Sequence, residues 1–171
     1  ITVFNTQYPL TTQDYIGALN TFGVIPFLAT GGITVASLRI YSVFIGLIIL
    51  LLAYKLTSGF TYSPLAGLAV VFLLAVNPTF LFWNRQGIFV TAITTAIGLG
   101  ATWCWLQWWR TRRFPYLGWG IFLFAMGLYA KLLFIWLIFA LFGGLVLLKL
   151  KSIIQPPHRP NFTLSPRQVF I

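Results

Sequence analysis

Three stretches of this chain are apolar for about the thickness of a membrane and carry charge only near their ends. They run from Val35 to Leu56, from Pro64 to about Trp83, and from Ile88 to Trp109. A helix rises 1.5 Å per residue, so about 20 apolar residues match the ~30 Å hydrocarbon core of a bilayer. Arg39 opens the first run and Lys55 closes it, while Arg110, Arg112 and Arg113 close the third. Pro64 suits the first turn of the second, where its missing N–H costs nothing. Only 7% of the 171 residues are charged and mean hydropathy is +0.91. A soluble domain carries roughly a quarter charged residues, so this composition is built for lipid. The seven Trp supply the amphipathic rings favoured at the headgroup boundary.

The stretch from Leu117 to Leu150 is too long for one comfortable span and short for two, with Lys131 at its centre. Charge placement decides between the readings. Two helices meeting near Lys131 put Lys55, Arg110, Arg112, Arg113, Lys149, Lys151, Arg159 and Arg167 on one side, against Arg39, Arg85 and Lys131 on the other. A single tilted helix destroys that asymmetry, and positive charge concentrates on the cytoplasmic side of a membrane. The expected fold is therefore all-α: a polytopic transmembrane bundle of about five spans, preceded by an interfacial juxtamembrane helix. Residues 1–34 form an external juxtamembrane segment, 35–150 the bundle, and 151–171 a cytoplasmic loop or linker rich in proline. Tyr15 to Thr30, broken by Gly17, Gly23 and Pro26, lies along the outer interface in this reading.

Other classes are excluded or left without support. Eleven Lys and Arg face one acid, Asp14, yet the cations are scattered at helix ends and form no nucleic-acid patch. One His, one Cys and one Asp cannot build an ordinary metal site. Cys104, the single cysteine, permits no internal disulfide. The chain starts at Ile1 and its one Met is Met126, so a preceding helix is expected upstream and the chain is read as a fragment of a larger protein. Trp103, Trp105, Trp108 and Trp109 read as the cytoplasmic aromatic belt. Ala96, Gly98 and Gly100 allow close helix packing, the usual use of small residues in lipid. Asn77-Pro78 is expected to kink the second span, since Pro removes a backbone donor.

Arg39, Arg85 and Lys131 break the topology rule. Each alone is accounted for by snorkelling to the outer headgroups. Together, on the side of the only carboxylate, they raise a second reading: one outward-facing pocket with Asp14 at its rim. Cations at membrane depth cost ~3 kcal/mol on insertion scales and tend to mark paired sites or substrate pathways. A phosphate would neutralise them, through the planar fork of Arg and the compact charge of Lys. Both readings stay open at this level.

The order of motifs resembles a known family. Gln13-Asp14-Tyr15-Ile16-Gly17-Ala18-Leu19 is followed by Pro26-Phe27, Gly31-Gly32, and Arg39 opening a span. Asn77-Pro78, Trp83-Asn84-Arg85 and Gly127-Leu128-Tyr129-Ala130-Lys131 come next. This set resembles the N-terminal part of GT-C membrane glycosyltransferases, the group of protein O-mannosyltransferases and lipid A aminoarabinose transferases. The resemblance implies an enzyme moving a sugar from a polyprenyl-phosphate carrier to an acceptor on the outer face, placed by analogy in a bacterial inner membrane with the C-terminal tail cytoplasmic. It implies phosphate-binding roles for Arg39, Arg85 and Lys131, and a catalytic role for Asp14 near the second acidic position of the first external loop. The polyprenyl-phosphate-linked sugar is the implied donor, with no other cofactor; membrane lipid and the rest of the parent chain are the implied partners. Two features depart from the pattern. The principal catalytic acid has no counterpart, and Gln86-Gly87 stand where an acid often follows the outer arginine. A transporter or channel segment lining an anion path is the rival reading, and a non-catalytic membrane scaffold a third.

Overall fold

The computed structural model describes residues 2–3, 6–7, 11–13, 16–86 and 90–154. Asp14, Ile88 and the expected linker from Gln155 lie outside them. The chain divides into two units, Ile1–Trp136 and Leu137–Ile171.

Two short antiparallel ladders come first: β1 (Thr2–Val3) with β2 (Thr6–Gln7), then β3 (Thr11–Gln13) with β4 (Ile16–Gly17). The juxtamembrane helix expected from Tyr15 therefore starts later, as α1 (Leu19–Gly31). Ile16 instead pairs as an isolated bridge with Lys131, far along the chain. That pairing explains the strand, and no local pattern announces it.

Gly32 closes α1 at φ +72°, in the left-handed region open to glycine. Thr34 then caps α2 (Val35–Thr61), accepting from the Ser37 amide at 3.2 Å, while the Ser37 hydroxyl donates to the Gly32 carbonyl at 2.9 Å. This corner folds α1 back on α2. The Tyr41 hydroxyl donates to the Asn20 side-chain oxygen at 3.0 Å, and Val24, Tyr41, Ile45, Ile49 and Ala96 form the core. Lipid offers no hydrophobic drive between helices, so close packing and hydrogen bonds of this kind hold them, at ~0.6 kcal/mol per bond.

The second expected run is cut in two. Ser63 caps α3 (Pro64–Val76), Asn77 caps α4 (Pro78–Arg85) through the Phe80 amide at 2.9 Å, and the pair is bent by 64°. Pro78 supplies no N–H to the preceding turn, and its ring clashes with a straight continuation. The kink expected at Asn77-Pro78 is thus a full change of direction.

α5 (Thr91–Thr111) packs against α2 and against α6 (Phe114–Ala130). Its buried face is small: Thr94, Ala96, Gly98, Ala101 and Cys104. Gly120 of α6 comes to the level of the Cys104 Cβ, which is the close approach that small residues permit. Thr94 and Thr102 satisfy their hydroxyls on carbonyls of their own helix, at 2.9 and 2.8 Å, so little polarity is exposed to lipid.

The helix breaks at Lys131, which is extended at φ −157°, ψ 120°. One 3-10 turn, Leu132–Phe134, leads into α7 (Ile135–Ile154). Two helices rather than one rod is the arrangement that length and Lys131 predict. About five spans are expected, but among the described residues only α2 passes alone by length and composition, and α3 with α4 passes as a bent pair. The Asn77-Pro78 and Lys131 breaks shorten their runs, and α5 is diluted by Thr91, Thr94, Thr95, Thr102 and Gln107. Apolar side chains cover the flanks all the same: Val43, Leu47 and Leu51 on α2, Leu68 and Phe72 on α3, Ile121 and Phe122 on α6 are exposed.

Candidate functional site

Two of the four candidate residues meet. The first turns of α2 and the length of α4 enclose a cleft of about 730 Å³, lined by Val35, Leu38, Arg39, Pro78, Leu81, Phe82, Arg85 and Gln86. The bend at Asn77 builds it, because a straight second span would carry Arg85 away from the start of α2. Asn84 holds α4 in place: its amide donates to the Phe80 carbonyl at 3.1 Å, and its head packs over Gly46 of α2 at 3.6 Å from where a Cβ would stand. Among the described residues the buried Asn84 side-chain oxygen meets no hydrogen-bond partner. Both arginines are exposed to the cleft side of the bundle. Among the described residues neither guanidinium meets a carboxylate, and Asp14 is the only acid in the sequence.

The chemistry of this cleft follows from its lining. Two planar cations sit between aliphatic and aromatic walls, which suits a ligand with an anionic head and an apolar tail. Arginine at such a place can grip an oxyanion through two parallel N–H bonds.

Lys131 does not line this cleft. Its backbone pairs with Ile16, its amide donates to Gly127 at 3.0 Å and its carbonyl accepts from Phe134 at 2.8 Å. A Cβ on Gly17 would overlap the Tyr129 carbonyl, and one on Gly127 would overlap the Phe134 ring. The break is thereby wedged between β4 and Phe134, with the lysine half-buried. Leu81, Phe82, Asn84 and Gln86 were not singled out in the sequence as binding groups. The signal available for them was Asn77-Pro78, which marks where the helix turns.

The far end of α2 treats its cations differently. Lys55 lies 5.3 Å over the Trp103 ring, Arg110 is 5.1 Å from Tyr62, and Arg112 is 5.5 and 5.1 Å from Trp108 and Trp109. Arg110 also donates to the Gly59 carbonyl. Of the four tryptophans expected as an aromatic belt, Trp103, Trp108 and Trp109 also lie beneath these cations.

Helices whose apolar flanks stay exposed, one of them long enough to cross a bilayer, fit an integral membrane protein. A family model of dolichyl-phosphate-mannose-protein mannosyltransferases matches residues 24–159, and the chain belongs to that family. Its members are membrane glycosyltransferases that use polyprenyl-phosphate-linked sugars as donors. No curated protein and no solved structure matches the chain.

Proposed function

We propose that this chain is part of a glycosyltransferase whose outward-facing cleft between α2 and α4 receives the phosphate of a polyprenyl carrier. The observation that carries the reading is the pairing of Arg39 with Arg85 on one apolar-walled cleft, in a sequence with a single carboxylate. In this reading α2, the bent α3–α4 pair, α5, α6 and α7 are the five crossings, and the tail after α7 is cytoplasmic. An acceptor hydroxyl or amine attacks the anomeric carbon of the sugar, and the carbon–oxygen bond to polyprenyl phosphate breaks with its electrons going to the phosphate oxygen. Asp14 takes the acceptor's proton, and the arginines stabilise the phosphate as its charge grows. Lys131, which does not line the cleft, is left out of this phosphate site.

The test is carrier binding by the full-length protein, read with a polyprenyl phosphate in detergent micelles. Arg39→Ala and Arg85→Ala are each expected to weaken it roughly ten- to hundredfold, from a lost charge-assisted contact of ~1.5–3 kcal/mol. Unchanged binding in both variants removes the cleft from the mechanism. Orientation is tested separately by labelling Ile33→Cys and Arg113→Cys, in a Cys104→Ser background, with a membrane-impermeant thiol reagent. Position 33 is expected to react from outside and position 113 only after permeabilisation; the opposite pattern inverts the topology.

A further inference from the structure

The end of the bundle formed by the C-terminus of α2 and the α5–α6 turn collects Lys55, Arg110, Arg112 and Arg113 with no carboxylate to offset them. The sequence contains no acid at all after Asp14. Three of these cations rest on aromatic rings within 5.5 Å. Such contacts engage the face of a guanidinium and leave its N–H edges free to donate. Arg110 spends one edge donor on the Gly59 carbonyl. Arg112 lies over both Trp108 and Trp109, so its fork is held without any of its donors being consumed by a protein acceptor among the described residues. Arg112 also sits in the left-handed region at φ 54°, closing α5 through its amide to Trp108 at 2.8 Å, and Arg113 follows exposed. Around them Tyr62 (83% exposed), Phe114 (81%) and Trp109 (54%) turn their rings outward, which is the behaviour of aromatic side chains at headgroup depth.

We infer that this end of the bundle is a binding surface for the phosphodiester headgroup of an anionic phospholipid, with Arg112 and Arg113 as its principal donors. Charge complementarity selects the occupant. A zwitterionic headgroup brings its own cation and leaves the site's charge unmatched, whereas phosphatidylglycerol neutralises it. The surface lies away from the Arg39–Arg85 cleft and does not depend on the glycosyltransferase reading.

The experiment is native mass spectrometry of the full chain in neutral detergent, titrated with phosphatidylglycerol or phosphatidylcholine. Phosphatidylglycerol is expected to bind at least roughly tenfold more tightly, with the preference falling about five-fold for each of Arg112→Gln and Arg113→Gln. Trp108→Leu is expected to lower it as well, since the fork loses its platform while the charge remains. Equal affinity for the two lipids, or an unchanged preference in the Arg112→Gln/Arg113→Gln variant, overturns the proposal. If circular dichroism shows that Arg112→Gln loses its helix content, the exposed Arg113→Gln decides alone: a retained preference overturns the site, and a lost one supports it.

Discussion

Both ends of α2 carry cations within a few residues of the helix terminus, and they handle them in opposite ways. At the C-terminal end Lys55 and the facing Arg110 are laid on Trp103 and Tyr62. At the N-terminal end Arg39 faces Arg85 across an apolar-walled cleft. Like charges brought together repel, and near a protein surface, where the effective dielectric is ~20, two unit charges 4 Å apart interact by ~4 kcal/mol. The fold lays Lys55 and Arg110 on aromatic rings at one end and leaves two arginines sharing a cleft at the other, which is the arrangement on which the proposed phosphate site rests. The difference teaches that position along a helix is a poorer guide to function than what the neighbouring element offers the charge.

The largest effect expected from this contrast is in ligand binding. Arg39→Ala/Arg85→Ala should reduce polyprenyl-phosphate affinity of the full-length protein by about a hundredfold or more, on ~1.5–3 kcal/mol per charged contact, while Lys55→Ala leaves it within about twofold. Equal losses at the two ends would break the comparison. Next come the close backbone contacts near Lys131. Gly17→Val and Gly127→Val force a side chain onto the Tyr129 carbonyl and the Phe134 ring, and each should cost about 2–3 kcal/mol in thermal unfolding of the detergent-solubilised chain. At the opposite end Arg110→Ala should cost about 1–2 kcal/mol, because it removes a hydrogen bond to Gly59 and the contact with Tyr62. Smallest is Asn77→Ala, which removes the cap of α4 for about 1 kcal/mol. Its sharper readout is carrier affinity, which should fall if the direction of α4 sets the spacing of the two arginines.

The elements that were legible in the sequence are those fixed by local rules. Val35 and Pro64 begin helices where apolar runs and a proline at the first turn put them, and Lys131 divides a stretch too long for one span. Ala96 and Gly98 are buried where small residues were expected to allow close packing. What escaped depends on contacts between distant residues. Gly17 read as an interruption in a helix, yet it is the point where β4 meets the Tyr129 carbonyl. Asn77-Pro78 announced a kink but not its 64° bend; the charge pattern put Arg39, Arg85 and Lys131 in one pocket, and without that angle nothing in the sequence separates Lys131 from the two arginines that share the cleft. Composition marked the tryptophans after Ala101 but could not show which rings lie beneath which cations.

The pairing of Ile16 with Lys131 has a consequence for the order in which the protein is made. The pairs α2–α3 and α5–α6 are neighbours both in sequence and in space, so each hairpin can dock as it leaves the ribosome. β4 cannot complete its contacts so early. Its partner is the carbonyl end of α6, which emerges only after nearly the whole of the first unit has been synthesised. Contacts of such long sequence separation are slow to form because the intervening chain must be closed into a loop first. β4 must therefore wait beside a partly assembled bundle, and its docking is a late step. A chain stalled before Lys131 would hold its earlier helices and still lack the seat for β4.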